Sequence, residues 1–277
     1  MLRTRILTAL LLFPLALLIL FVSTVNIFAI SVGLIVLVAA WEWIHLSCSV
    51  NRARTCILLA AILVLLVGSY SLSSVYALVI IGCGCVFWIG AFVMVVVYPK
   101  GRDQIANKYV KLLFGLIVLI PAYLALLQLR RHEAHLLFIS LLAAIIWTAD
   151  VGAYFIGRQF GTSRLAPNVS PGKSWIGLFG GLVMALAAGI IVVLLDRSTS
   201  YSLSPVAWAS LAGLIVVTVS LSVLGDLFES LIKRESGVKD SSSLLPGHGG
   251  LLDRIDSLTA ASPFFTIIVY FSGWPWL

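Results

Sequence analysis

Long, uninterrupted apolar runs follow one another along almost the whole chain. Each can cross roughly 30 Å of hydrocarbon as a helix. No water-soluble core could hide this surface, because 61% of the 277 residues are hydrophobic and the mean hydropathy is +1.12. The runs do not alternate in polarity, so the sequence predicts an all-α polytopic integral membrane protein of about nine transmembrane helices, not a β-barrel. The predicted spans lie near residues 6–22, 25–46, 55–70, 74–98, 111–128, 135–157, 175–195, 205–228 and 258–275.

The loops on the two sides of these spans differ strongly in basic residues. With a cytoplasmic N-terminus, fifteen of the 18 Lys and Arg residues lie inside, and Arg130, Arg131 and Arg197 lie outside. This is the positive-inside signal of a multi-pass protein. The net charge of +7 therefore reflects topology and attraction for anions, and nucleic acid is not an expected partner. We expect the first run to be a retained helix, and the weak third run, interrupted by Gly68, leaves a count of eight open.

The chain reads as a single membrane domain over residues 1–277. Residues 1–130 are mainly scaffold helices, whereas polar side chains concentrate in residues 140–258, which we expect to form a catalytic region with cytoplasmic loops. No internal repeat divides the chain further.

Three acids fall within apolar runs. Glu42, Asp150 and Asp226 each lie in the predicted cytoplasmic half of a helix. Carboxylates at such depth are costly unless they are paired, metal-bound or solvated. We therefore expect a shared polar cavity that opens to the cytoplasm.

Two acidic helix faces flank the most polar segment of the chain. Asp226, Glu229 and Lys233 are spaced to project from one face of the eighth helix, and Asp253 and Asp256 are three residues apart near the last helix. A hard cation such as Mg²⁺ takes carboxylate oxygens and keeps other positions for water and phosphate. These four acids are the candidate metal ligands, and an ordinary solvated loop with local salt bridges is the alternative.

A glycine cluster precedes the last helix. Gly247, Gly249 and Gly250 surround His248 and allow positive φ and close backbone approach. Successive amides there can form an anion-binding concavity. A simple turn would use the same residues.

A second candidate phosphate site precedes the seventh helix. Ser170, Lys173 and Ser174 place a cation and two hydroxyls at its start, although a helix cap also explains Ser170 or Ser174. Asp150 either ligates a cation, holds Lys173 or hydrogen-bonds a neighbouring helix. The candidate substrate-binding residues are Ser170, Lys173, Ser174, Gly247, Gly249, Gly250 and Asp150.

Four segments together resemble the phosphatidate cytidylyltransferases, also called CDP-diacylglycerol synthases. The most specific is SLIKRESGVKDSSSLLPGHGGLLDRID at residues 230–256. WTADVGAY at 147–154, SPGKS at 170–174 and AWEW at 40–43 also resemble the family. The resemblance implies transfer of CMP from CTP to phosphatidic acid, giving CDP-diacylglycerol and pyrophosphate for phospholipid biosynthesis.

The resemblance further implies a Mg²⁺-dependent homodimer in the bacterial inner membrane, with the active site facing the cytoplasm. By motif position, Asp226 and Asp253 are the metal-binding carboxylates. Because both reactants are strongly anionic, positioning and charge neutralisation are what the protein must supply. The expected catalytic residues are Asp226, Asp253, Lys233, Arg234, Lys239, Asp240, His248 and Arg254.

Two other functions remain compatible with these residues. A CTP-dependent lipid kinase needs the same metal and cations but attacks a different phosphorus. A polytopic transporter also places polar groups within helices, although here the acids crowd toward one end.

Overall fold

Helices make up most of the computed structural model, which describes residues 10, 13–48, 51–196, 204–247 and 249–272. One short antiparallel hairpin interrupts them. The helices are α1 (Phe13–Val22), α2 (Val25–Ser47), α3 (Arg52–Tyr70), α4 (Ser74–Val97), α5 (Arg102–Ala106), α6 (Lys108–Arg131), α7 (His135–Phe160), α8 (Trp175–Leu195), α9 (Pro205–Glu235) and α10 (Leu252–Phe271), and the strands are β1 (Arg164–Ala166) and β2 (Ser170–Ser174).

Seven of the described helices, α2, α3, α4, α6, α7, α8 and α9, are long and apolar enough to cross a membrane. The prediction of an all-α polytopic membrane protein is thereby confirmed. The described part of the first predicted span is the shorter helix α1, since most of residues 6–12 lie outside the described part of the chain. Helix α10 carries Asp253, Arg254 and Asp256 in its first two turns.

Two helices extend beyond the apolar runs that predicted them. Helix α9 continues seven residues past the predicted end at 228, and α10 begins six residues before the predicted start at 258. Apolar runs end at the first charges, whereas backbone hydrogen bonding continues while those charges find partners. Asp226, Glu229 and Lys233 therefore lie on one continuous helix.

The core lies where α6 packs against α2, α4 and α10, while α7 pairs with α8 and α9 pairs with α10. Side chains fit closely at these contacts. A Cβ on Gly115 of α6 would lie 2.5 Å from Trp43 Cδ1 of α2, and Trp43 Nε1 donates to Lys111 O at 2.7 Å. Helices α3, α4 and α8 bury the smallest shares of their apolar windows, as expected of lipid-facing helices.

An aromatic cluster fills the core next to the polar residues of α9. Phe228 is 1% exposed, and its ring centroid lies 5.5 Å from Phe87, 5.6 Å from Trp88, 5.8 Å from Phe114 and 6.5 Å from Trp43. Its chain neighbour Glu229 is also buried, with a side chain that is 2% exposed. Electrostatic interactions are stronger in such low-dielectric surroundings.

The β1–β2 hairpin was not predicted from the sequence. Arg164 pairs with Ser174 and Ala166 with Ser170. The Ser174 side chain then accepts a hydrogen bond from Gly177 N at 3.1 Å and caps α8. Lys173 thus lies in β2, one residue before the N-cap of α8.

A separate buried carboxylate closes the C-terminal end of α9. Glu235 has a side chain 1% exposed, and it accepts hydrogen bonds from Tyr98 Oη at 2.7 Å and Arg102 Nε at 3.0 Å. The hydrogen bond to Glu235 raises the pKa of the Arg102 guanidinium above its ordinary value. This contact fixes α5 against α9.

Candidate active site

A glycine brings α9 and α10 into contact at the acidic residues. A Cβ on Gly225 would collide with the Asp256 carbonyl oxygen and lie 3.1 Å from Ala260 Cβ. Only glycine allows this separation. The contact places Asp226, the next residue of α9, beside Asp256 of α10, and the two carboxylates interact electrostatically.

Asp226 forms an ion pair with Lys173. The Lys173 ammonium lies 2.8 Å from Asp226 Oδ2 and 3.4 Å from the Val223 carbonyl oxygen. Ser230 Oγ donates to the other carboxylate oxygen of Asp226 at 3.3 Å. The Asp226 side chain remains 35% exposed, so it is accessible to ligands.

Asp150 and Asp256 also lie close enough to Lys173 for their carboxylates to interact electrostatically with its ammonium. The α7, α9 and α10 helices thus each contribute one aspartate to the surroundings of a single lysine. Of the three roles left open for Asp150, the structure supports proximity to Lys173, while the direct ion pair of Lys173 is with Asp226.

Lys233 joins two further acids. Its ammonium lies 2.5 Å from Asp253 Oδ1 and 3.3 Å from Glu229 Oε2. The Glu229 side chain is 2% exposed, and its carboxyl group also contacts that of Asp256. Lys233 supplies the positive charge that compensates Glu229.

The remaining oxygen of Asp253 organises the segment before α10. Asp253 Oδ2 accepts hydrogen bonds from Ser241 N at 3.0 Å, Ser241 Oγ at 2.9 Å and Gly250 N at 2.8 Å. Gly249 has φ +83°, and a Cβ there would lie 2.8 Å from the same oxygen. Gly247 also has positive φ, at +78°. Of the glycine cluster, these two residues use conformational freedom, and Gly250 allows close approach.

Glu42 is the residue to which the sequence assigned no role beyond its depth. Its side chain is fully buried, and its carboxylate contacts the segment that ends at Asp253. The only sequence signal was a lone acid in an apolar run, AAWEWIHL. Its partners lie about 200 positions away, as for Ser241 and Ser242, and no local pattern indicates them.

The other predicted site residues of the described chain are exposed, except Ser170, which is half-buried. Arg234 is exposed and donates from Nε to Val169 O at 3.4 Å, and Ser170 begins β2. Exposed positions also hold Lys239 and Asp240 after α9 and Arg254 in the first turn of α10. His248 falls outside the described residues.

Each central aspartate has one oxygen that contacts a lysine ammonium: Asp226 Oδ2 contacts Lys173, and Asp253 Oδ1 contacts Lys233. Carboxylate oxygens are the donors that Mg²⁺ prefers, and an ion there would replace one positive charge by another. In the arrangement described, no group of three or more His, Cys, Asp or Glu residues converges closely enough to hold an ion. An ion bound by these oxygens of Asp226 and Asp253 would require Lys173 and Lys233 to turn away.

The fold and this cluster define a multi-pass membrane protein with paired acids and lysines at one end of its helical bundle. The family model described as "Cytidylyltransferase family" matches residues 3–272. The chain therefore belongs to the cytidylyltransferase family.

Curated relatives match over nearly their full lengths. The chain is 42% identical to a phosphatidate cytidylyltransferase of Pseudomonas aeruginosa over 99% of both chains. It is 40% identical to one of Haemophilus influenzae, with 98% of this chain and 99% of the relative covered. A Brucella suis relative of the same name is 36% identical over 94% of this chain and 90% of its own. The resemblance noted in the sequence is thereby confirmed.

Proposed function

We propose that this protein transfers CMP from CTP to phosphatidic acid, forming CDP-diacylglycerol and pyrophosphate. The observation that carries the proposal is the acid and lysine cluster of α9 and α10, in a chain that matches phosphatidate cytidylyltransferases over almost its whole length. Lysines paired with acids at a membrane-embedded site suit two anionic reactants.

The reaction is an in-line displacement at phosphorus. A phosphate oxygen of phosphatidic acid attacks the α-phosphorus of CTP, the bond from that phosphorus to the β-phosphate oxygen breaks, and pyrophosphate leaves. No covalent enzyme intermediate is needed, so the chain contributes orientation and charge. We assign phosphate binding to Lys173 and Lys233, which already lie among the acids. Additional positive charge comes from Arg234, Lys239 and Arg254.

Mg²⁺ is the proposed cofactor. Asp226 and Asp253 would hold it, with Asp256 and Glu229 as supporting carboxylates, since two lysine ammonium groups already occupy cation positions on the first two. The ion would supply neutralisation of the phosphates and of the leaving pyrophosphate. Lys173 and Lys233, displaced from the aspartates, would then contact phosphate oxygens.

The proposed location is the bacterial inner membrane, with the active site on the cytoplasmic side and a homodimer as the assembly. The uneven distribution of basic residues supports this orientation. It allows CTP to enter from water while the acyl chains of phosphatidic acid stay in lipid. The bundle, with several apolar helices, is a multi-pass membrane protein in either orientation.

Product analysis tests the proposal. Purified protein in nanodiscs is incubated with α-labelled CTP, phosphatidic acid and Mg²⁺, and the lipid and water-soluble products are identified. We expect the label in CDP-diacylglycerol, with one pyrophosphate released per lipid. Release of labelled CDP with a phosphorylated lipid would instead identify a kinase. Absence of nucleotide turnover would contradict the proposal.

A further inference from the structure

Glu42 is the only charged residue of α2, and its carboxylate is fully buried. Both of its oxygens are hydrogen-bonded. Oε1 accepts from Ser242 Oγ at 2.5 Å and Leu251 N at 2.9 Å, and Oε2 accepts from Leu252 N at 2.6 Å and Ser241 Oγ at 3.2 Å. Hydrogen bonds to an ionised carboxylate are the strong class in proteins.

All four donors belong to one segment, residues 241–252, which we call the catalytic loop. Two donors, from Ser241 and Ser242, lie at its start, and two, the amides of Leu251 and Leu252, lie at its end. Glu42 therefore binds both ends of the catalytic loop. A single carboxylate on a transmembrane helix fixes the spacing of the loop ends.

The same carboxylate caps α10. The N-cap residue of this helix, Leu251, provides no side-chain hydrogen bond to the first turn. Free amides at a helix start need an acceptor, and a negative charge there interacts favourably with the helix dipole. Glu42 supplies both from another helix, through the amides of Leu251 and Leu252.

One hydroxyl connects Glu42 to Asp253. Ser241 Oγ lies 3.2 Å from Glu42 Oε2 and 2.9 Å from Asp253 Oδ2, and its single proton serves one carboxylate at a time. Gly250 packs against Ser241 and Glu42 so closely that position 250 has no room for a side chain. A Cβ on Gly250 would collide with Ser241 Oγ and lie 2.6 Å from Glu42 Oε1. Displacement of Glu42 would therefore move Ser241 and Gly250, which provide the three hydrogen bonds that Asp253 Oδ2 accepts from the described residues.

We propose that Glu42 is a positioning residue of the cytidylyl transfer: it ties the catalytic loop to α2 so that Asp253 meets Lys233 beside the acids of α9. The inference rests on the proposed function. Misplacement of a reacting group by about 1 Å costs about 100-fold in rate. Glu42 touches neither substrate in this account and acts through Asp253.

Glu42→Gln tests the inference, with Glu235→Gln as the matched control. Both glutamates are buried and accept hydrogen bonds, but Glu235 contacts Tyr98 and Arg102 and not the catalytic loop. We expect E42Q to lower kcat about 100-fold and to change KM for CTP and phosphatidic acid by less than about threefold. E235Q should stay within about threefold of the unmodified protein in both.

Amide hydrogen exchange in nanodiscs supplies a readout independent of activity. E42Q should speed exchange at residues 250–253 and leave α9 unchanged, whereas general destabilisation would speed both helices together. The inference is overturned if kcat of E42Q stays within about threefold of the unmodified protein or if amide exchange in the catalytic loop is unchanged. It is also overturned if E42Q and E235Q lower kcat equally. Failure of the unmodified protein to form CDP-diacylglycerol contradicts the proposed function and leaves the exchange test intact.

A milder variant covers the case in which E42Q does not fold. Ser242→Ala removes the 2.5 Å hydroxyl donor to Glu42, together with the acceptor of Leu244 N in the same loop, and keeps the carboxylate and the described contacts of Asp253. Loss of one charge-assisted bond should lower kcat about tenfold and speed exchange in the catalytic loop. Unmodified kcat and exchange in this variant would overturn the inference.

Discussion

Lys173 and Lys233 each neutralise an aspartate that we assign to the metal, and phosphates compete for the same two lysines. A phosphate that attracts one of these ammonium groups leaves a carboxylate uncompensated at a site of low dielectric. A divalent ion restores the balance. Nucleotide and ion should therefore bind together more tightly than either binds alone, because each relieves the charge left by the other.

Asp226→Asn and Asp253→Asn should each lower turnover by at least about 100-fold, because metal charge stabilisation is worth several kcal/mol. The two variants should differ in stability, with Asp253→Asn the more strongly destabilised. Asp253 is 10% exposed and accepts bonds from Lys233, Ser241 and Gly250, whereas Asp226 is 35% exposed. Product formation and thermal unfolding in detergent measure both effects.

An exposed acid provides the control for these substitutions. Asp103→Asn on α5 changes the net charge equally but lies outside the cluster, and it should leave turnover within about twofold. Near-normal activity in either aspartate variant of the cluster would exclude its assigned metal role.

Lys239→Ala should have a milder effect than substitution of Lys173 or Lys233. Lys239 is exposed in the segment after α9, where its charge raises the local concentration of anions without a fixed contact. We expect KM for CTP to rise about threefold and kcat to stay within about twofold, with the difference vanishing at high salt. Steady-state kinetics at two ionic strengths check this, beside the exposed Lys108→Ala. A 100-fold loss of kcat would instead place Lys239 in the reacting complex.

At the scale of elements, the proposed active site lies along the contact between α9 and α10. Gly225 allows α9 to approach the Asp256 carbonyl of α10, and Glu42 of α2 fixes the segment that joins the two helices. The α7–α8 pair adds Lys173 through the hairpin between its helices. Two helix pairs and α2 therefore meet at one cluster, and a change in any of these contacts alters the surroundings of its charged side chains.

Gly225→Ala tests this contact between α9 and α10, and Gly213→Ala on the same helix is its control. A Cβ at 225 collides with backbone of α10, whereas a Cβ at 213 meets nothing within 4 Å. We expect G225A to lower turnover more than about tenfold and to destabilise the protein by about 1–3 kcal/mol. G213A should be neutral or stabilising by up to about 1 kcal/mol, since alanine favours helix. Equal behaviour of the two variants would show that helix separation at 225 is unimportant.

At the scale of the whole molecule, hydropathy was sufficient to predict the polytopic class, because lipid exposure demands continuous apolar helices. Spacing along one helix also indicated that Glu229 and Lys233 share a face, and the structure pairs them at 3.3 Å. The Lys173–Asp226 pair was not predicted, because it depends on how the α7–α8 pair packs against α9. Glu42 illustrates the same limit, since its partners lie about 200 residues later.

Removal of divalent ions should abolish turnover while the fold persists. Without an ion, Asp226 and Asp253 are already compensated by Lys173 and Lys233, so the bundle does not depend on metal for charge balance. We expect EDTA to stop product formation, added Mg²⁺ to restore it, and the melting temperature to change by less than about 3 °C, a small linkage effect. Mg²⁺ should fail to restore turnover in Asp226→Asn. Undiminished turnover in EDTA would contradict the assigned ion, and cooperative unfolding on chelation would show that the lysines do not compensate the aspartates.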